Sequence, residues 1–557
     1  MKIGWTDRRS RENGGYGTTL YFGDLKTTIQ MRLRTLPFAA ALVISTLAEA
    51  QTKTKAAEVD WGRELNDKED GNFQTVMETS DDAIYVWMNR KKEQLIQKMG
   101  LDLKVIYQKP FDKNLLEEER ELAKILLMKD RIIVFTRKYD KKADRNDLYA
   151  RAYNEADYSP IAPEKRIASI SADKENNSGY FSVGFAYDEK SIRVGITEPR
   201  VKKMETKSSV KFLDFDLEEM SGGDAPEEVQ RDFPEDFSTD DAITTDDGAY
   251  MCVGRKYPEK REQKELRRQN KPDHTYWLLV FEKGSTTPQE YPIQVADKFL
   301  QDLTFKEDIN GDIICGGFYG NKSSWAIRGV FFLRLDKANK QVQHESYKEF
   351  SDDFITEGMS EKEEKKAQRK ADRKDEELEL SNYRLDRMVR RQDGGMVMVA
   401  EEYRSYTVCT QTKYGQSCNT HYIYNDIIAV NIDPQGNIEW AAKIPKRQHT
   451  VNDGGYFSSY AMHVKGDNIY FLFNDNGENL FLKPGDKYKQ FELKGDDALV
   501  TLATIEGDGH VRREAMFNQE RKGTIFKPNE CRSLPDDRMF IYATRKSEYR
   551  FGIITFL

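Results

Sequence analysis

Histidine and cysteine are both scarce in this chain, with six of the first and five of the second among 557 residues. The histidines (His274, His344, His421, His449, His463 and His510) never fall in His-Glu-x-x-His spacing, which excludes a helix-borne zinc site. No Cys-x-x-Cys occurs, which excludes the common zinc knuckle and a thioredoxin-like redox pair. A Gly-x-Ser-x-Gly elbow, a Walker-type loop and a Gly-x-Gly-x-x-Gly after a strand are also missing. No catalytic, metal or cofactor-binding residue is therefore assigned, and no cofactor is expected. Two oxygen-rich runs, Asn474 to Asn479 and Asp308 to Asp312, depart from the EF-hand order, since Leu472 stands where the first Asp belongs. They read as turn chemistry.

An excess of positive charge is lacking too. The first 50 residues hold 7 basic and 4 acidic side chains, leaving 80 against 91 in the rest, a net charge of −11. Nucleic-acid binding needs a clustered basic surface, so no nucleic acid is expected as a partner. Long apolar runs are absent after residue 50, so no transmembrane segment is expected in the mature chain.

The one apolar run that exists explains itself. Residues 31–50 (MRLRTLPFAAALVISTLAEA) start at an internal Met31. Arg32 and Arg34 give a basic n-region, Leu36 to Leu47 the apolar stretch, and Ala48-Glu49-Ala50 a small-x-small cleavage site. The expectation is a signal peptide cleaved before Gln51, preceded by a non-native extension over 1–30. The mature product would be soluble and exported, periplasmic or secreted. An oxidising compartment permits disulfides. Cys409 and Cys418 flank a polar stretch that looks like a hairpin tip, so a bridge is expected there, with two reduced thiols as the alternative. Cys252 and Cys315 lie in apolar strands and read as inert core thiols, leaving Cys531 unpaired.

What the chain has in abundance is a repeated strand. A turn of Asp, Asn or Gly precedes alternating apolar residues at Asp247 (DGAYMCVG), Asn310 (NGDIICGG) and Asp393 (DGGMVMVA). Superposed, these align Cys252, Cys315 and Met398, and then Gly254, Gly317 and Ala400. Looser copies start at Asp82, Asp130, Gly179, Asp467 and Asp537. The β-branched and aromatic content marks strands, and the recurring small residue points to close backbone approach. Asp433-Pro434-Gln435-Gly436-Asn437-Ile438-Glu439-Trp440 forms a β-turn leading into a strand.

That segment and the blade-like spacing resemble β-propellers of the quinoprotein-like and WD-like kind, and the exported, functionally uncharacterised propellers of bacteria. The resemblance is to an architecture and carries no activity. It implies an all-β propeller of seven or eight four-stranded blades over residues 51–557, a single domain. The last copy is only a hairpin (Met539 to Thr544, Phe551 to Phe556), while Val59 to Glu64 has no hairpin partner. Pairing the N- and C-terminal strands would close the ring and remove two edges.

Charged inserts interrupt the pattern. Residues 357–380 contain a helical stretch with almost no apolar face, a Ser360/Glu363 capping box, and Glu361–Lys365 and Arg373–Glu377 pairs. Such a helix would project into solvent, as an inert insert or a partner-docking arm. Lys256 to Lys271 reads as a long loop, Asp214 to Asp247 as a crossing between blades, and Lys113 to Met128 as either helix or strand.

The most unusual loop is His449 to Tyr460 (HTVNDGGYFSSY). His449, Asn452, Asp453, Tyr456 and Tyr460 on a glycine-flexed loop would suit a pocket for sugar or peptide, while the plainer reading is a blade connection. The expected function is a non-catalytic binding or scaffold protein offering a propeller face to a protein or glycan partner. The alternative is a hydrolase or lyase acting on glycans or peptides with residues around the central channel.

Overall fold

The computed structural model describes residues 53–557 apart from positions 92, 129, 235, 270, 375, 392, 414, 494 and 496 and the stretches 112–119, 187–189, 200–207, 221–231, 245–248, 294–297, 308–311, 322–325, 337–340 and 520–522. The leader at 31–50, the cleavage point, the oxygen-rich run at 308–311 and the turns at Asp247 and Asn310 lie outside the described residues.

Eight antiparallel sheets follow one another along the chain, beside one small two-stranded pairing. The fold is thus an all-β propeller with eight blades. Blade 1 spans Asn72–Thr79 to Val105–Pro110, blade 2 Glu121–Leu127 to Lys165–Ser171, and blade 3 Tyr180–Phe185 to Ser208–Leu213. Blade 4 spans Phe237–Thr244 to Gln289–Ile293, blade 5 Phe299–Glu307 to Gln341–Glu349, blade 6 Tyr383–Arg390 to Ile438–Ile444, and blade 7 Ala461–Lys465 to Val511–Asn518. Blade 8 is built on Arg538–Arg545 and Glu548–Phe556. The expectation of four strands in each blade needs three corrections: blade 6 has a fifth, short strand, Gln448–Val451. Blade 3 has three strands among the described residues, and blade 8 gathers six.

Ala57–Trp61 pairs antiparallel with the C-terminal strand, with Val59 opposite Ile554 and Trp61 opposite Gly552. This is the expected closure. It gives the C-terminal strand a partner on both sides, with Ala57–Trp61 as the outer strand of the blade, and it buries Ala57, Val59, Ile554 and Phe556 in the core between blades 7 and 8. Comparable clusters fill the spaces between the other blades, such as Phe331 and Val280 between blades 4 and 5 and Phe471 and Ile427 between blades 6 and 7. Strand alternation supplies both sides at once. Met251 and Val253 enter one inter-blade core, while Cys252 between them enters another.

The repeated turn-plus-strand unit is the second strand of its blade in seven cases. The copy at Gly179 is the exception: it opens blade 3 as a first strand, and Ile192–Thr197 is the second. The recurring small residue has a specific cause. The first strand bulges opposite it, between Thr239 and Asp241, Leu300 and Leu303, and Leu385 and Arg387, and the residues facing these bulges are Gly254, Gly317 and Ala400. A Cβ on Gly317 would lie 2.1 Å from the Asp302 carbonyl oxygen. The Asp433–Asn437 turn links the third and fourth strands of blade 6, as expected, with Gly436 at φ +93°.

Three inserts differ from expectation. The helix Glu361–Lys374 forms with its capping box, Ser360 N donating to Glu363 Oε2 at 2.9 Å, and with its Glu361–Lys365 pair. Yet it is not a free arm. Ala371, Leu378 and Leu380 are buried in the core between blades 5 and 6, so the insert lies against the propeller. Two alanines spaced four residues apart form the narrow apolar stripe that a count of large hydrophobes overlooks. The Glu377 side chain is engaged by Asn321. Lys256 to Lys271 contains a helix, Lys260–Arg268, and Asp214 to Asp247 contains the first strand of blade 4. Of the ambiguous stretch Lys113 to Met128, Glu121–Leu127 is a strand, and 113–119 lies outside the described residues.

Candidate functional site

Blade 6 is distinguished by length. Its second and third strands, Met396–Thr412 and Gly415–Ile432, have 17 and 18 residues, about twice their counterparts in other blades. The surplus continues beyond the sheet as a two-stranded ribbon, roughly 30 Å long at the rise of an extended strand. Near its tip Cys409 and Cys418 face each other and form the expected disulfide. A short strand, Gln448–Val451, pairs with the ribbon's base and makes it three-stranded.

Period-two alternation sorts the ribbon's side chains onto two faces. One carries Arg404, Tyr406 and Val408, then His421 and Ile423, then Arg447, His449 and Val451. The Tyr406 and His421 rings stack at 4.8 Å, and His421 Nδ1 lies 2.9 Å from His449 Nε2. Burial first, then the neighbouring His421 and Arg404, lowers the His449 pKa, so this imidazole favours its neutral form. Tyr406, Val408 and Val451 are exposed. This exposed aromatic and aliphatic strip makes the ribbon face a candidate interaction surface.

At its base this face meets a group of ionisable side chains at the head of blade 6, called the recess below. Here alternation acts on two pairs of like residues. Glu401 turns toward blade 7, where its carboxylate meets the fully buried Lys446 ammonium at 2.7 Å. The same ammonium donates to the Tyr424 carbonyl and the Gln448 amide oxygen. Glu402 and Arg447 turn the other way. Arg447 pairs with the buried Asp426, and Lys443 approaches the same carboxylate at 3.8 Å while donating to the Ile355 carbonyl at 2.9 Å. Tyr383 stands directly across from Glu402 on the neighbouring strand.

The recess's far wall is the segment that follows blade 5. The helix Asp352–Thr356 ends, Glu357 follows, and Gly358 at φ +81° turns the chain so that its carbonyl accepts from Arg447 Nη2 at 3.0 Å. Burial raises Glu357 above the ordinary carboxyl pKa, with Lys443 opposing and Asp426 adding to the effect. Burial, then the Asp426 carboxylate, raises Glu402. The Tyr383 phenol is pushed far up by burial and by Asp426 and Glu402. By whole-residue exposure Glu357 is exposed, while Glu402 and Tyr383 are half-buried. Ionisable groups with displaced pKa values that converge on one recess mark a place where chemistry is feasible.

The five residues singled out on the 449–460 loop do not converge. His449 belongs to the stacked face. Asn452 ties the loop to the ribbon, its side chain accepting from Thr420 N at 2.7 Å. Asp453 accepts from Thr450 Oγ1 and Gly455 N within its own turn. Tyr456 lies beneath the Lys527 ammonium, 3.7 Å from the ring centre. Tyr460 is buried between blades 6 and 7, and its hydroxyl donates to Asp386 Oδ2 at 2.7 Å. Asn474 and Asp475, from the oxygen-rich run, spend their side chains on Phe457, Phe526, Asn479 and Thr501. Among the described residues, no three His, Cys, Asp or Glu side chains gather as metal ligands. No helix among them is long and apolar enough to cross a membrane.

Sequence reading missed Glu357, Tyr383, Glu402, Arg447 and His421. The available signal was the doublets Glu401-Glu402, inside the strand Met396–Thr412, and Lys446-Arg447, just before the strand Gln448–Val451, whose members point to two faces. A separate cavity of about 190 Å³ near Arg63, Gln97 and Tyr549 is smaller than the ~300–1,000 Å³ of ordinary ligand pockets.

No family model and no curated protein matches this chain. Similar solved structures include a prolyl endopeptidase at 8% identity and TM-score 0.35, covering 86% of this chain and 55% of the other. This chain therefore spans about half the length of that enzyme. An uncharacterised protein of Listeria monocytogenes is 8% identical at TM-score 0.28, covering 86% and 92%. A polysaccharide lyase acting on ulvan is 10% identical at TM-score 0.31, covering 77% and 90%. At these values no residue role passes from them to this chain.

Proposed function

We propose that this protein is an exported propeller that binds a glycan along the ribbon face and recess of blade 6. The signal sequence at 31–50 would direct export with release before Gln51, leaving residues 51–557 as one domain. The observation that carries the reading is the stack of exposed Tyr406 on half-buried His421 and His449, beside a group of carboxyl, guanidinium and phenol side chains. Sugar rings offer apolar faces to aromatic side chains and hydroxyls to polar ones, and this surface has both in sequence. His449 keeps its place in the binding surface, whereas Asn452 and Asp453 act on it by holding the loop.

The test is retardation of the mature protein in native gels containing neutral or acidic polysaccharides, backed by a glycan array. Binding to at least one glycan, lost in Tyr406→Ala with an unchanged thermal transition, supports the reading. Failure on every glycan, or binding indifferent to Tyr406→Ala, contradicts it. Capture of peptides instead would make the ribbon a protein-docking edge. A second reading, a hydrolase or lyase, is favoured by one observation alone: Glu357 and Glu402 both hold protons more tightly than ordinary carboxyls.

A further inference from the structure

We propose that the glycan held by the ribbon of blade 6 is anionic, with Arg404 as the side chain that selects its carboxylate or sulfate group. This rests on the glycan-binding reading above and adds the class of ligand to it.

Charge sets the ribbon apart from the rest of the chain. Acidic side chains make up 95 of the 557 residues, yet none occurs from Tyr403 to Asn425, nor in the strand Gln448–Val451 that pairs with the ribbon. The basic side chains of the same segments are Arg404, Lys413, His421 and His449. The two carboxyls that precede the ribbon are held elsewhere. Glu401 meets the buried Lys446, and Glu402 is bonded to the side chain of Asn425. A protein that is acidic overall repels polyanions, so a surface without carboxylates is where one can approach.

Geometry then picks out one cation. Arg404 is exposed and makes no ion pair among the described residues, and its guanidinium carbon lies 5.4 Å from the centre of the Tyr406 ring. The cations at the ribbon's base are already engaged, Lys446 by Glu401 and both Arg447 and Lys443 by Asp426. Tyr406 lies nearly parallel to His421, with 7° between the ring planes, and His421 reaches His449 on the next strand. A sugar resting against the exposed part of Tyr406 would thus bring an acid substituent to Arg404, whose forked N–H donors suit paired oxyanion oxygens. A neutral sugar would leave that guanidinium unused. The charges that act on His449, those of His421 and Arg404, are both positive, so a bound anion would also relieve their mutual repulsion.

The experiment measures binding of the full mature protein to immobilised polysaccharides matched in backbone and differing in charge: dextran sulfate against dextran, and polygalacturonate against its methyl ester. At least one acidic member should bind more tightly than its neutral partner, which member it is telling sulfate from carboxylate, and the margin should shrink as salt is added. Arg404→Gln should lower binding of the acidic member by about 10-fold, the effect of one hydrogen-bonded charge, with the thermal transition unchanged. Tyr406→Ala should weaken acidic and neutral members alike. Equal binding within both pairs, or a margin indifferent to Arg404→Gln, overturns the anionic assignment and leaves the glycan reading standing. Polyglutamate bound as tightly as the acidic polysaccharide overturns it in favour of an acidic polypeptide partner. Failure on all four polymers overturns it alone if the array finds a neutral glycan, and overturns both proposals if the array finds none.

Discussion

Lys446 is the most deeply committed charge in blade 6, and its surroundings fix what its loss should do. Its ammonium is fully buried against Glu401, with the Tyr424 carbonyl and the Gln448 side chain as further acceptors. Lys446→Met leaves the buried Glu401 carboxyl without its cation and with the Ser459 hydroxyl as its remaining partner, a change that costs about 3–5 kcal/mol. Equilibrium urea unfolding should show that loss, and the double variant Glu401→Leu/Lys446→Met should recover most of it. Glu402, one residue along, predicts the opposite sign. Its folded pKa is above the unfolded value of 4.5, so the folded chain binds the proton more tightly than the unfolded one. The stability it contributes is present below pH 4.5 and is lost as pH rises through the folded value. Glu402→Gln removes that penalty. It should raise the unfolding temperature at pH 7 and leave it unchanged below pH 4.5; a variant less stable at pH 7 would contradict the assignment.

Elements were legible in the sequence where turn chemistry and alternation coincide. Asp82, Asp467 and Asp537 each precede a second strand because that strand is buried on both faces and reads as an apolar run. First strands were less legible, that of blade 3 after Gly179 excepted. Bulges break their period, as between Phe73 and Thr75 and again between Val76 and Glu78, and their carbonyls are what make Gly254 and Gly317 necessary. The insert helix misled because its docking stripe is alanine. The recess was illegible for a further reason: its members come from positions 357, 383, 402, 426 and 447, and only register and the bulge between Glu401 and Tyr403 bring them together. The ribbon, in contrast, was partly readable from its cysteines. As an element outside the sheet cores, it should open independently of the propeller. Reduction, or Cys409→Ser/Cys418→Ser, should leave the main thermal transition in place while speeding protease cleavage between 404 and 424. A large fall in the main transition would show the ribbon to be part of the core.

The whole molecule depends on closure. Eight blades in a ring need their ends joined, and here the first strand after the expected leader completes the last sheet. Ala57 and Val59 cover Ile554 and Phe556, and full burial of each large apolar side chain is worth about 1.5–3 kcal/mol, so the joint is a major stabilising contact. Glu58 stands opposite Thr555 in that pairing. The most direct test is therefore the pair Glu58→Cys/Thr555→Cys under mild oxidation. Closure predicts an intramolecular disulfide in the monomer and a higher unfolding temperature. Failure to cross-link, or cross-links formed only between molecules, would contradict the ring and the site built on it.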